Sequence, residues 1–146
     1  MADAPTDAGH LFDEGESLID AGDDAGSLAI FLAAWAAIPE PKADHELAVP
    51  VLGAIADGRF FAGDWEGCRW AVQEAFRCGA ETDNVFLRLR LGQSLFELGD
   101  VQEAANWLTP VYLAEGREPF AGEDPKYLAS FQPRLAPPPG GWPVGW

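Results

Sequence analysis

Basic residues are scarce in this chain of 146 residues: nine Lys and Arg stand against 24 Asp and Glu, a formal net charge of −15. A field of that sign repels nucleic acid and anionic membranes, so neither is an expected partner, and it speeds encounter with basic proteins. Cysteine is almost missing. Cys68 and Cys78 are too few for a disulfide framework or a four-ligand metal site, and their separation is not a redox spacing, so reduced thiols are expected. The two histidines, His10 and His45, stand apart and do not form the paired spacing of a zinc hydrolase. No apolar run approaches the roughly 18 residues that span a bilayer. The opening "MADAPTDAGH" lacks the basic-then-apolar layout of a signal peptide, and a soluble cytoplasmic protein is expected.

Catalytic patterns are equally thin. "DAGDDAG" resembles a calcium loop only in composition, because Phe31 stands where the closing bidentate Glu is needed. "GQSLF" lacks the second Gly of a nucleophile elbow, and no Gly-Lys-Ser or Gly-Lys-Thr phosphate loop occurs. No catalytic residue, metal ligand or cofactor is expected, and a non-enzymatic role follows.

What is present is a 48% hydrophobic content, enough for one domain with a real core. The acidity is uneven: residues 1–58 carry twelve acids against Lys42 alone, a balance of −11, and residues 59–146 carry twelve acids against eight bases, a balance of −4. A Gly-Asp pair recurs at Gly22-Asp23, Gly63-Asp64 and Gly99-Asp100, with 41 and 36 residues between the glycines. Gly suits the left-handed end of a helix, and Asp can accept hydrogen bonds from the unpaired amides that open the next. With the glycines superposed, the flanks agree. Seven residues before them stand Gly15, Ala56 and Gly92, and five after them Ser27, Cys68 and Ala104, small residues that let paired helices approach closely. Nine and twelve after them come Phe31 and Ala34, Val72 and Ala75, Leu108 and Val111, an apolar stripe on each second helix.

This arrangement resembles the tetratricopeptide repeat (TPR), and the resemblance implies an all-α solenoid of three helical hairpins. The helices are expected at residues 9–21 with 24–38, 46–62 with 64–79, and 84–98 with 101–115. Arg59 departs from the pattern, standing where Leu18 and Leu95 stand in the other repeats, and "PEPKADHE" absorbs the excess length of the first repeat as a loop. Asp100-Val-Gln-Glu103 reads as a capping box, and a closing helix from Asp124 is expected to cover the last hairpin. Residues 1–132 thus form the TPR-like helical domain. Residues 133–146 form a tail rich in Pro, Gly and Trp, which is expected to pack on the domain through Trp142 and Trp146 rather than to serve as a docking peptide.

In the repeat resemblance, the first helix of each hairpin supplies the binding face, through residues ten, six, three and two before each glycine. The expected partner contacts are Phe12, Glu16, Asp20, Asp57, Phe61, Gln93 and Glu97, a surface both apolar and negative that suits a basic segment with hydrophobic anchors. Ile19, Phe60 and Phe96 are expected to serve as core between helices, and Cys68 as packing at a helix crossing. "AAWAAIPEPKADHELA", "FFAGDWEGCRWA", "LGQSLFELGD" and "FAGEDPKYL" resemble short bacterial TPR proteins associated with polymorphic toxin systems. That resemblance implies an immunity protein that binds and neutralises a basic, nuclease-type toxin. The alternative is a TPR adaptor or chaperone for a secretion or assembly component. Self-association is not indicated.

Overall fold

Each Gly-Asp pair turns the chain in the same way. In the computed structural model, which describes residues 3–142 with side chains from Asp7 onward, Gly22, Gly63 and Gly99 have φ of +82°, +76° and +92°. Their N–H groups donate to Ile19, Phe60 and Phe96, and the following aspartate N–H groups donate five residues back to Leu18, Arg59 and Leu95. These paired bonds satisfy the last carbonyls of one helix. The carboxylates of Asp23, Asp64 and Asp100 then accept from the N–H of Gly26, Gly67 and Glu103, which opens the next helix. Each such cap contributes about 1 kcal/mol.

The helices so delimited are α1 (Asp3–Asp20), α2 (Asp24–Ala37), α3 (Ala48–Phe61), α4 (Trp65–Arg77), α5 (Val85–Glu97), α6 (Val101–Glu115) and α7 (Pro125–Phe131), with no strand among the described residues. They pair as the hairpins α1–α2, α3–α4 and α5–α6, successive hairpins meet through α2–α3 and α4–α5, and α7 closes on α6. The solenoid of three hairpins expected from the sequence is what forms. The first helix starts earlier than residue 9, because nothing breaks it before Asp3 and Pro5 falls in the first turn, where a missing N–H costs no helical bond.

Superposed positions do equivalent work. A Cβ on Gly15 would lie 2.5 Å from the Phe31 ring, and one on Gly92 would lie 2.5 Å from Leu108, so the same small–large crossing is built in the first and third hairpins. Ser27, Cys68 and Ala104 are all buried there. Arg59 compensates for its departure by donating to the Gly67 carbonyl and lying over the Trp70 ring. Asp100 caps its helix, but the capping box is only half made. The Asp100 N–H is already spent on Leu95, and the Glu103 carboxylate accepts from Asn106 instead.

The long loop after α2 contains a cis Glu40–Pro41 bond and a 3-10 turn at Lys42–Asp44. Lys42 folds back to donate to the carbonyls of Trp35 and Ile38 and so caps the end of α2. His45 Nδ1 accepts from the Leu47 N–H just before α3. One continuous core runs through the hairpins from Phe31 and Ile38 through Leu52 and Ile55 to Leu108 and Phe131. At the end of the described chain Arg134 reaches Asn106 and Gln102 of α6, Leu135 packs on the core and Trp142 is half-buried; Trp146 lies outside the described residues. No described helix is long and apolar enough to cross a membrane.

Candidate functional site

The first helices α1, α3 and α5 share one face, and its two ends differ. At the carboxyl end the face is filled by the protein's own side chains. Arg90 of α5 is 6% exposed. Its Nε donates to Asp57 Oδ1 at 2.9 Å, and its Nη1 donates to Gln93 Oε1 at 2.8 Å and Glu123 Oε1 at 2.9 Å. Gln93 Nε2 adds a 2.7 Å bond to the same Glu123 oxygen. The guanidinium carbon lies 4.2, 5.2 and 5.5 Å from the ring centres of Phe60, Phe61 and Phe86, so its cation also meets aromatic faces.

A second lock lies beside the first. Glu97 Oε2 accepts from Tyr127 and pairs with Lys126 Nζ at 2.7 Å. Burial raises the Glu97 carboxyl, but the hydrogen bonds from Lys126 and Tyr127 outweigh it and hold the group below the usual carboxylate range. Burial first, and the Glu97 carboxylate second, raise the Tyr127 phenol. The Tyr127 ring contacts Phe96 and Phe60, so α7 reaches across α5 to α3.

These locks correct part of the expected contact set. Gln93 is 0% exposed and belongs to the Arg90 network, so it offers nothing to a partner. Asp57 and Glu97 remain partly open, yet each already has an internal cation. Phe12 is half-buried, its ring 5.7 Å from Phe31, and serves the core. Phe60 and Phe96 are core or packed against it, as expected, but Ile19 is 46% exposed, because α1 does not close on α3. Glu16, Asp20 and Phe61 are exposed, Phe61 at 66%.

Between α1, α2 and α3 a cleft of about 190 Å³ remains, lined by Ile19, Phe31, Ala54 and Phe61 with Asp24 and Asp57 at its polar side. Phe61 stands as a ridge between it and a shallower hollow of about 320 Å³ over Trp65 and Tyr127. Among the described residues no cation pairs with Asp13, Glu14, Glu16, Asp20 or Asp24. The uncompensated charge therefore sits on the hairpin that borders the open cleft.

Arg90, Glu123, Lys126 and Tyr127 escaped the sequence reading. Arg90 had a visible signal: it lies one turn after Phe86 and Leu87, in a run with Leu89 and Leu91, where an unpaired base would be costly. The other three carried none, since their roles depend on where α7 lands. Cys68 is buried at the α4–α5 contact with Sγ 3.9 Å from the Arg90 carbonyl, and burial pushes its thiol up to about 11, which suits packing and not nucleophilic chemistry.

No protein-family model matches the chain, and no match was found among curated proteins. Among solved structures the chain is similar to the C-terminal TPR-containing domain of a protein described as an FK506-binding protein of Plasmodium falciparum. That similarity has a TM-score of 0.70 at 11% sequence identity and covers 88% of this chain and 86% of that one. At that identity the likeness concerns the course of the backbone, and it agrees with the repeated corners and crossings: the chain has the helical-hairpin solenoid fold of a TPR-containing domain.

Proposed function

We propose that the protein is a non-enzymatic, cytoplasmic protein-binding module whose partner is basic, and that it acts as an immunity protein by covering a bacterial toxin domain. The observation that carries this reading is the unpaired acidity of α1 and the start of α2 beside an open, partly apolar cleft. An acidic rim around aromatic and aliphatic anchors is the complement of a basic surface with hydrophobic residues, as a nucleic-acid-cleaving domain carries. The TPR-like backbone supports a binding role, since stacked hairpins offer an extended surface built by several helices.

Growth rescue tests the reading directly. Co-expression with the toxic product of the adjacent gene should restore growth, and Glu16→Lys with Asp20→Lys should weaken the complex by about 1 to 3 kcal/mol without changing helical content. No rescue with any adjacent toxin would remove the immunity reading. The narrowness of the cleft supports a second reading, an adaptor or chaperone that holds an extended segment of a secretion or assembly component. Recovery from the native host of a complex with such a component, and no rescue, would favour it.

A further inference from the structure

The gap between α3 and α5 is filled by Arg90, nine residues before its corner glycine, Gly99. Its guanidinium engages Asp57, six residues before Gly63 on the preceding first helix, and lies over Phe60, three residues before that glycine. One repeat earlier, two of the three equivalent positions, Ala54 and Ile19, line the open cleft. Ala54 stands nine before Gly63, Glu16 six before Gly22 and Ile19 three before Gly22. The apolar neighbour is therefore in place, Asp24 and Asp57 supply carboxylates to the cleft wall, and a methyl group stands where the arginine would be.

We propose that this cleft takes an arginine side chain of the protein partner, seated between α1 and α3 as Arg90 is seated between α3 and α5; the proposal rests on the binding reading above and specifies its anchor. Its volume of about 190 Å³ is below the roughly 300–1,000 Å³ of sites that enclose a drug-sized molecule, and so suits one side chain. The aliphatic stem crosses Ile19 and Ala54, and the planar head meets the exposed ring of Phe61, whose ridge already borders the Arg90 guanidinium 5.2 Å away. Asp24 at the start of α2 lines the cleft and, among the described residues, has no cation to satisfy, while Glu16 and Asp20 lie exposed on the neighbouring α1. Arginine is favoured over lysine because a delocalised plane stacks on an aromatic ring and offers donors to several carboxylates at once.

The test uses the full chain, isotopically labelled for NMR, and the tripeptide acetyl-Gly-Arg-Gly-amide as probe, with its neutral citrulline counterpart as control. Shifts should gather at the amides of Ile19, Asp24, Ala54, Gly58 and Phe61, and the citrulline probe should bind at least about tenfold more weakly. Ala54→Arg should fill the cleft from within and abolish those shifts. Shifts scattered over other acids, equal binding of both probes, or unchanged binding to Ala54→Arg would overturn the proposal. Should Ala54→Arg not fold, Asp24→Asn decides the same point on an exposed lining position: about tenfold weaker probe binding supports the seat, and unchanged binding overturns it. The two readings separate cleanly. Full growth rescue by Ala54→Arg would end the arginine seat and leave the immunity role standing, whereas no rescue by the wild-type protein, with probe shifts at the cleft, would do the reverse.

Discussion

Replacing Arg90 by Met keeps most of its length and removes its charge, leaving Asp57, Glu123 and Gln93 without their common donor. Removing one partner of a buried pair costs roughly 3–5 kcal/mol, because the remaining charge stays desolvated. Here water relieves part of that cost. The Asp57 side chain is 37% exposed and rehydrates largely, while that of Glu123, at 19%, does so much less. The expected loss is therefore about 2–3 kcal/mol. With a slope of about 2 kcal/mol per molar urea, the midpoint should fall by about 1–1.5 M, and the melting temperature by about 6–10 °C. Adding Glu123→Gln should restore at least about 1 kcal/mol, since two amides can share the Gln93 bond with no stranded charge. Urea titrations of both variants followed by circular dichroism decide the matter. A loss under about 0.5 kcal/mol for Arg90→Met would refute the claim that this network is desolvated and holds α3, α5 and the turn before α7 together.

Four further outcomes are expected. Gly92→Ala forces its new methyl against Leu108, 2.5 Å away, and should cost about 1–3 kcal/mol in thermal unfolding; with Leu108→Ala the combined loss should be smaller than the sum of the two. Because the Glu97 carboxyl is held below its ordinary value, its contribution is complete above about pH 4.3 and is lost as pH falls through the lower folded value, so Glu97→Gln should flatten acid unfolding in that window. The raised Tyr127 phenol works in the opposite direction, with its share of stability falling as pH rises above about 10, and Tyr127→Phe should remove that alkaline slope. A thiol reagent under native conditions should modify the half-buried Cys78 slowly and leave Cys68 untouched until urea unfolds the chain.

The corners and crossings were legible because they are local and repeated. Gly22, Gly63 and Gly99 need a positive φ, the aspartates after them need only reach an amide three residues on, and the small residues at fixed offsets report helices crossing closely. Repetition turned weak signals into a register, and the observed helix bounds depart from it by a few residues, chiefly at the start of α1. The exposure of the expected contacts was legible only in part. Glu16, Asp20 and Phe61 lie open, but Gln93 is sealed by Arg90 and Glu123, thirty residues beyond it. That closure depends on the turn before α7, and helical periodicity carries no information about where a turn comes to rest. The assumption that every first helix presents the same face failed because α7 and the turn before it cover α5, whereas among the described residues nothing fills the gap between α1 and α3.

Ile19 marks the gap between α1 and α3 that no described side chain fills. At the carboxyl end, α7 and the turn before it stitch α3, α5 and α6 into one unit, whereas α1 rests on its hairpin mate and carries a crowd of like charges on its outer surface. The molecule thus has an open groove near its first hairpin and a closed one at its last. A basic partner with a side chain seated between α1 and α3 would relieve the crowding and bridge the two helices at the same time. It would fill the gap left between the first two hairpins, and recognition and completion of the packing would be a single event.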